Sequence, residues 1–293
     1  MSYAFTRESV FTVRVWFLVL VSIIWSILFC NEVVANHNAQ IEQPLQAAIG
    51  ETHSVSNKDK KTKYRIGVSY INSYPMFSSA NRKDKGLGWA ILENFAESKN
   101  IQFEYAPMPI SRLQPSMDSG AVDFIFPDNP HWGSYRSNRL PNIFSGPVLS
   151  AISATFVRTE NQNITFEELS KVAIPFGYSA NTWTLPIQTY NIKSVPVRDL
   201  GTALHSITQG SVEAADVEYN IGKYIIAQNP NLTGLSIAPN LPNTSVDYHL
   251  SSIKHITLLE DLTVFIKQEK VFIEQLRREY GIKYHHEVYT NTP

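Results

Sequence analysis

A chain of 293 residues is long enough for one large domain or two ordinary ones with proper cores. An apolar share of 43% with a charged share of 17% excludes a chain that is disordered throughout. A formal net charge of -1 leaves no electrostatic footprint for nucleic acid or for a polybasic membrane surface.

The N-terminal segment differs in kind from the rest. Arg7 and Arg14 precede an apolar run from Val15 to Phe29 in which only Ser22 and Ser26 are polar. A positive flank, a short apolar stretch and the small-residue exit Val33-Val34-Ala35 predict a secretory signal over residues 1–35, with the mature chain starting near Asn36. An uncleaved anchor is the alternative. Cys30 is the only cysteine, and bulky Phe29 before it argues against lipidation. With the signal removed, disulfides, thiolate nucleophiles and cysteine metal sites are excluded.

Residues 36–63 are rich in Asn, Gln, Ser and Lys and read as a flexible leader. Tyr64 to Tyr70 is a β-rich run, followed by a turn containing Tyr74-Pro75-Met76-Phe77. Leu87, Ile91, Leu92 and Phe95 recur at helical spacing between Gly86 and Lys99. Ile101 to Ala106 alternates as a strand, Ser111 to Ser119 forms a short helix stopped at Gly120, and Val122 to Phe126 is a buried strand. Strands separated by helices predict a parallel α/β lobe, because parallel strands need crossover connections.

The plan then repeats. Val172 to Ile174 is a strand, Ala180 to Tyr190 a helix, Ser194 to Val197 a strand, and Asp199 to Gln209 a helix ended by Gly210. Val212 to Val217 and Ile221 to Gln228 supply the next strand and helix. From Leu258 to about Tyr280 a helical stretch places Leu262, Phe265, Ile266, Phe272, Ile273 and Leu276 on one face. His285-His286 follows in what reads as a solvated polar tail. There is no Ser–His–Asp order, no phosphate loop and no metal-spaced histidine cluster, so no cofactor, metal or catalysis is expected.

Several motifs fall in a familiar order. The opening strand leads into Tyr74-Pro75-Met76-Phe77, and Leu113 to Asp123 is a helix, a glycine and an aspartate before the third strand. Phe144-Ser145-Gly146-Pro147 precedes a crossover, Phe166-Glu167-Glu168-Leu169 leads through to Gly177-Tyr178-Ser179, and Ala203 to Glu218 is a helix, a glycine and an acidic strand. Together these resemble the bacterial solute-binding protein family 3, the periplasmic amino-acid-binding proteins. The resemblance implies a type II periplasmic-binding-protein fold: two lobes, each a mainly parallel sheet flanked by helices, with two crossing strands as the hinge. The candidate crossings are Ala151 to Arg158 and Asp247 to Ile253. Lobe 1 is then 64–152 plus 247–293, and lobe 2 is 153–246.

The same resemblance implies a monomer in the periplasm that closes around a small polar ligand, an amino acid or a relative. Its partner would be an inner-membrane ABC-transporter permease or a sensory receptor. Some relatives of the fold, such as cyclohexadienyl dehydratases, are enzymes, which keeps a dehydratase-like activity as the alternative.

An amino acid needs a fork of donors, an acidic acceptor and a packing surface. Arg136 and Arg139 lie where the family places its carboxylate-binding arginine, though neither falls at the usual spacing, and either could be a surface side chain. Ser179 precedes a helix start, where free N–H groups attract anions; a plain N-cap is the bland equivalent. Glu218 occupies the position of the family's ammonium-binding acid at a strand end. Tyr74 corresponds to the aromatic wall of the first loop. The run Phe126-Pro127-Asp128-Asn129-Pro130-His131-Trp132 departs from the family's small residues and hydroxyls, so Asp128 and Trp132 join the candidate ligand-binding residues. These departures point to a divergent ligand.

Overall fold

Ile66 and Val68 are fully buried at the centre of the first strand, β1 (Thr62–Ser69), which lies between two parallel neighbours. A strand so enclosed is apolar over consecutive residues instead of alternating. The computed structural model describes residues 61–80, 83–132, 141–176 and 181–289. These fall within the unit Lys61–Pro293.

After β1 a small hairpin of β2 (Asn72–Ser73) and β3 (Phe77–Ser78) surrounds Tyr74-Pro75. Helix α1 (Leu87–Ser98), β4 (Ile101–Met108), α2 (Ile110–Asp118) and β5 (Phe124–Asp128) complete the first parallel unit. Gly86 enters α1 at φ +92, and a Cβ there would lie 2.5 Å from the Pro75 carbonyl oxygen, so only glycine fits. The short β6 (Ile143–Phe144) then leads to the long β7 (Leu149–Arg158).

The second unit repeats the scheme with β8 (Lys171–Pro175), α3 (Asn181–Thr189), β9 (Lys193–Val197), α4 (Leu200–Thr208), β10 (Ala214–Glu218) and α5 (Tyr219–Gln228). Asp199 caps α4 by accepting the Thr202 amide at 2.7 Å. The short β11 (Leu235–Ile237) and the long β12 (Thr244–Ser252) follow. Three helices finish the described chain: α6 (Ile256–Gln268), α7 (Lys270–Glu279) and α8 (His285–Val288).

The main sheet has the order β4-β1-β5-β12-β7-β10-β8-β9. β1 is parallel to β4 and β5, and β8 is parallel to β9 and β10. Between the two parallel sets run β12 and β7, antiparallel to each other from Thr244–Ser153 to Tyr248–Leu149. The crossing strands thus start slightly earlier than the sequence suggests. One apolar cluster passes from Ile91, Phe95 and Phe124 through Ile152 and Phe156 on β7 to Leu204, Ile207 and Val217. A second packs Trp183 of α3 against Val157 and Val172.

Two expectations need correcting. The single C-terminal helix is two helices, broken at Glu269, which has the non-helical angles φ -91 and ψ 21. Nor is His285-His286 a solvated tail: His285 belongs to α8, its Nε2 lies 2.8 Å from Asn243 Oδ1, and Tyr289 is buried behind it.

Candidate functional site

The register of the crossing strands fixes where the lobes meet. Asp128, the last residue of β5, pairs with His249 of β12, and Glu218, the last residue of β10, pairs with Ser153 of β7. Ser153 itself lies opposite Thr244 of β12. Because β5 and β10 each run antiparallel to the crossing strand beside them, the carboxyl ends of both parallel sets point at the crossing from opposite sides. From Thr244 to His249 is about 17 Å of strand at the usual rise, the scale of a small-molecule crevice. Ligands of open α/β sheets gather at such strand ends.

Glu218 is 3% exposed and its two oxygens accept three N–H groups. Oε1 takes the Ile152 amide at 3.0 Å and Asn220 Nδ2 at 2.9 Å, while Oε2 takes the Ile221 amide at 2.7 Å and so caps α5. Burial pushes its carboxyl up to about 7, although these hydrogen bonds favour the charged form. Asp216, two residues back on the same face, accepts the Ser153 hydroxyl at 2.9 Å, and burial pushes it up to about 6.

Asp128 is fully buried. It accepts the Asn129 amide at 2.8 Å, Asn142 Nδ2 at 3.0 Å and the Ser251 hydroxyl at 2.6 Å. These bonds tie the end of β5 to β12. Asn129 adds a link from Nδ2 to the Asp247 carbonyl at 2.7 Å. Trp132 is partly buried, edge-on to Tyr248 of β12 at 5.6 Å.

Tyr74 donates from its hydroxyl to Asp84 Oδ2 at 3.0 Å, and its ring meets Tyr224 of α5 at 4.9 Å and Tyr280 at 6.3 Å. Burial, then the Asp84 carboxylate, raise the Tyr74 hydroxyl above its ordinary range. Burial also pushes Asp84 upward, but hydrogen bonds from Tyr280, the Gly86 amide and Tyr74 outweigh it and hold the carboxyl low. Arg136, Arg139 and Ser179 lie outside the described residues.

Topology therefore brings Asp128 and Glu218 to opposing edges, each within a network of protein hydrogen bonds. Sequence reasoning missed Tyr70 and Phe176, which follow the ends of β1 and β8 directly and are 62% and 71% exposed. An aromatic residue directly after a strand end, once in each half, was the available signal. It also missed Asp84, which gathers two tyrosine hydroxyls, and Asn220, which joins Glu218 to the C-terminal segment. Asn220 Nδ2 donates to the Lys283 carbonyl at 3.2 Å, and its Oδ1 accepts the Lys283 amide at 2.7 Å.

No family model matches the chain, and no curated protein matches it in sequence. Solved structures do match. An ancestral arginine-binding protein bound to arginine superposes with a TM-score of 0.60 at 19% identity, covering 75% of this chain and 98% of the other. The GluR0 ligand-binding core in complex with L-glutamate gives 0.62 at 17% identity, covering 75% and 99%. A histidine kinase sensor domain with similarity to periplasmic binding proteins gives 0.60 at 20% identity, covering 76% and 97%. The chain has the two-lobed fold of the type II periplasmic binding proteins, each lobe a mainly parallel sheet and β7 and β12 crossing between them.

Proposed function

We propose that the chain is an exported solute-binding protein of the periplasm, which captures a small polar ligand, an amino acid or a related compound, by closing its lobes. It is not an enzyme on this reading, and it acts as a monomer without cofactor or nucleic acid. The observation that carries the proposal is the convergence of both sets of strand carboxyl ends on the crossing of β7 and β12. A hinge of two strands allows rigid lobes to move while the sheet stays paired. Tyr74, Asp128 and Trp132 lie on the first-lobe side of the crevice and Glu218 on the second. Arg136 or Arg139 offers a bidentate partner to a carboxylate, and Ser179 a hydroxyl at a helix start.

Closure serves uptake or sensing equally, since a membrane partner need only prefer the closed state. The likeness to a sensor domain supports keeping a receptor beside a permease as the partner. A thermal-shift screen of the mature chain against amino acids, keto acids, polyamines and muropeptide fragments tests the reading. A ligand that binds only the folded state raises the melting temperature, and closure shows as a smaller radius of gyration in solution scattering. A panel in which no compound does either would refute it, and turnover of a prephenate-like acid would replace it with the enzyme reading.

A further inference from the structure

Resting on the reading that the crevice holds a small ligand, we infer that this ligand has a flat apolar body clasped between Tyr70 and Phe176 and carries no ammonium group. Two independent features of the crevice edges lead there.

The first is the state of the acids. An ammonium brings N–H donors that need acceptors, yet the carboxylates at the strand ends are committed within the protein. Glu218 accepts three N–H groups and Asp128 accepts two N–H groups and a hydroxyl. Breaking such a set to receive a ligand would leave buried amides without partners, which costs more than the new bond returns. The two other described acids beside the crossing, Asp216 and Asp247, each hold a serine hydroxyl, from Ser153 at 2.9 Å and from Ser150 at 2.6 Å.

The second is the pair of exposed rings. Tyr70 follows the last residue of β1, with its amide on the Met108 carbonyl at 3.2 Å; Phe176 follows the last residue of β8, with its amide on the Val197 carbonyl at 2.8 Å. Each is thereby anchored at the carboxyl edge of its own parallel set. These are the edges that point at the crossing, so a large exposed aromatic residue follows a strand end on each side of it. Exposed aromatic surface is unfavourable in water, and a ligand with a flat apolar face covers both rings when the lobes close. A permanent cation would also suit aromatic faces, but it would enter a crevice whose strand-end carboxylates are already engaged.

Calorimetric titration of the mature chain with 3-phenylpropionate, L-phenylalanine, propionate and glycine betaine separates these demands. The expected result is that 3-phenylpropionate binds at least tenfold more tightly than the other three. Tyr70→Ala and Phe176→Ala should each weaken it at least fivefold while leaving the melting temperature of the ligand-free protein in place. L-Phenylalanine binding as tightly or more tightly overturns the inference, above all if Asp247→Asn abolishes its advantage. Preference for glycine betaine, or indifference to both alanine substitutions, also overturns it. If none of the four binds but another compound does, the inference fails and the solute-binding reading stands. If nothing in the wider screen binds, both fail.

Discussion

The ring of Tyr74 in the first lobe lies edge-on against that of Tyr224 in the second, with centroids 4.9 Å apart. Asp84 fixes the first ring in place, because it accepts the hydroxyls of both Tyr74 and Tyr280, the latter at 2.7 Å. On the proposed reading the lobes part to admit a ligand and this contact must then break; such a pair contributes about 0.5–1.5 kcal/mol. Tyr224→Ala should therefore enlarge the radius of gyration of the ligand-free protein in solution scattering. Tyr74→Phe keeps the ring and loses only the bond to Asp84, so it should leave that radius unchanged. Equal radii for the parent and Tyr224→Ala would show that the contact does not hold the lobes together.

Gly222 lets α5 lie close on β7. A Cβ at this position would fall 2.6 Å from the Phe156 ring and 3.1 Å from Val217. Phe156 and Val217 are both fully buried, so neither can swing aside. Overpacking of this kind costs about 1–3 kcal/mol. Gly222→Ala should lower the unfolding free energy by that amount in a denaturant titration, and Phe156→Leu in the same chain should recover part of the loss. Simple additivity of the two substitutions would mean that they do not meet.

The parallel units were legible in the sequence because each element buries one face, and burial writes its period into the residues. Leu87, Ile91 and Phe95 give α1, and the apolar run at Val122 to Phe126 gives β5 to within two residues. The break at Glu269 was not legible, since apolar spacing continues across it from Phe265 to Phe272 and the interruption lies only in the backbone. Docking of the C-terminal segment was hidden for a different reason. Its partners, Asn220 and Asn243, are distant in the chain, and a hydrogen bond over such a separation leaves no local pattern. Resemblance placed Glu218 at a strand end, but it could not reveal that both oxygens turn back to α5 and β7.

Asn220 is the link between Glu218 and the segment after α7, with the same Nδ2 reaching the Glu218 carboxylate and the Lys283 carbonyl. It is 5% exposed, so its loss leaves buried groups without partners. Asn220→Ala should cost about 1–3 kcal/mol. Removing residues 282–293 should cost more, because it also exposes the sites covered by Ile282 and Tyr289, both buried. Combining the two should cost clearly less than their sum, as they disrupt one joint. A full additive loss in denaturant titrations would separate Asn220 from the segment after α7.

Glu218 and Asp216 make stability depend on pH in a defined direction. Burial raises the folded-state carboxyl of Glu218 from 4.5 to about 7 and that of Asp216 from 3.8 to about 6. A raised acid stabilises the fold fully below its unfolded value and loses that contribution as pH climbs through the folded one. Each loss is on the order of 3 kcal/mol. Asp84, Asp123 and Asp199 are held low, so their contributions vanish only as pH falls below the ordinary carboxylate range. The melting temperature of the ligand-free protein should thus peak at about pH 4, where the unfolded carboxyls begin to ionise, and fall by roughly 10–20 °C toward pH 8. In Glu218→Gln the amide turns an N–H toward donors, so the protein should melt lower at pH 5 and lose less on alkalinisation than the parent. A substituted protein that follows the parent's slope over that range would remove Glu218 as a source of the pH dependence.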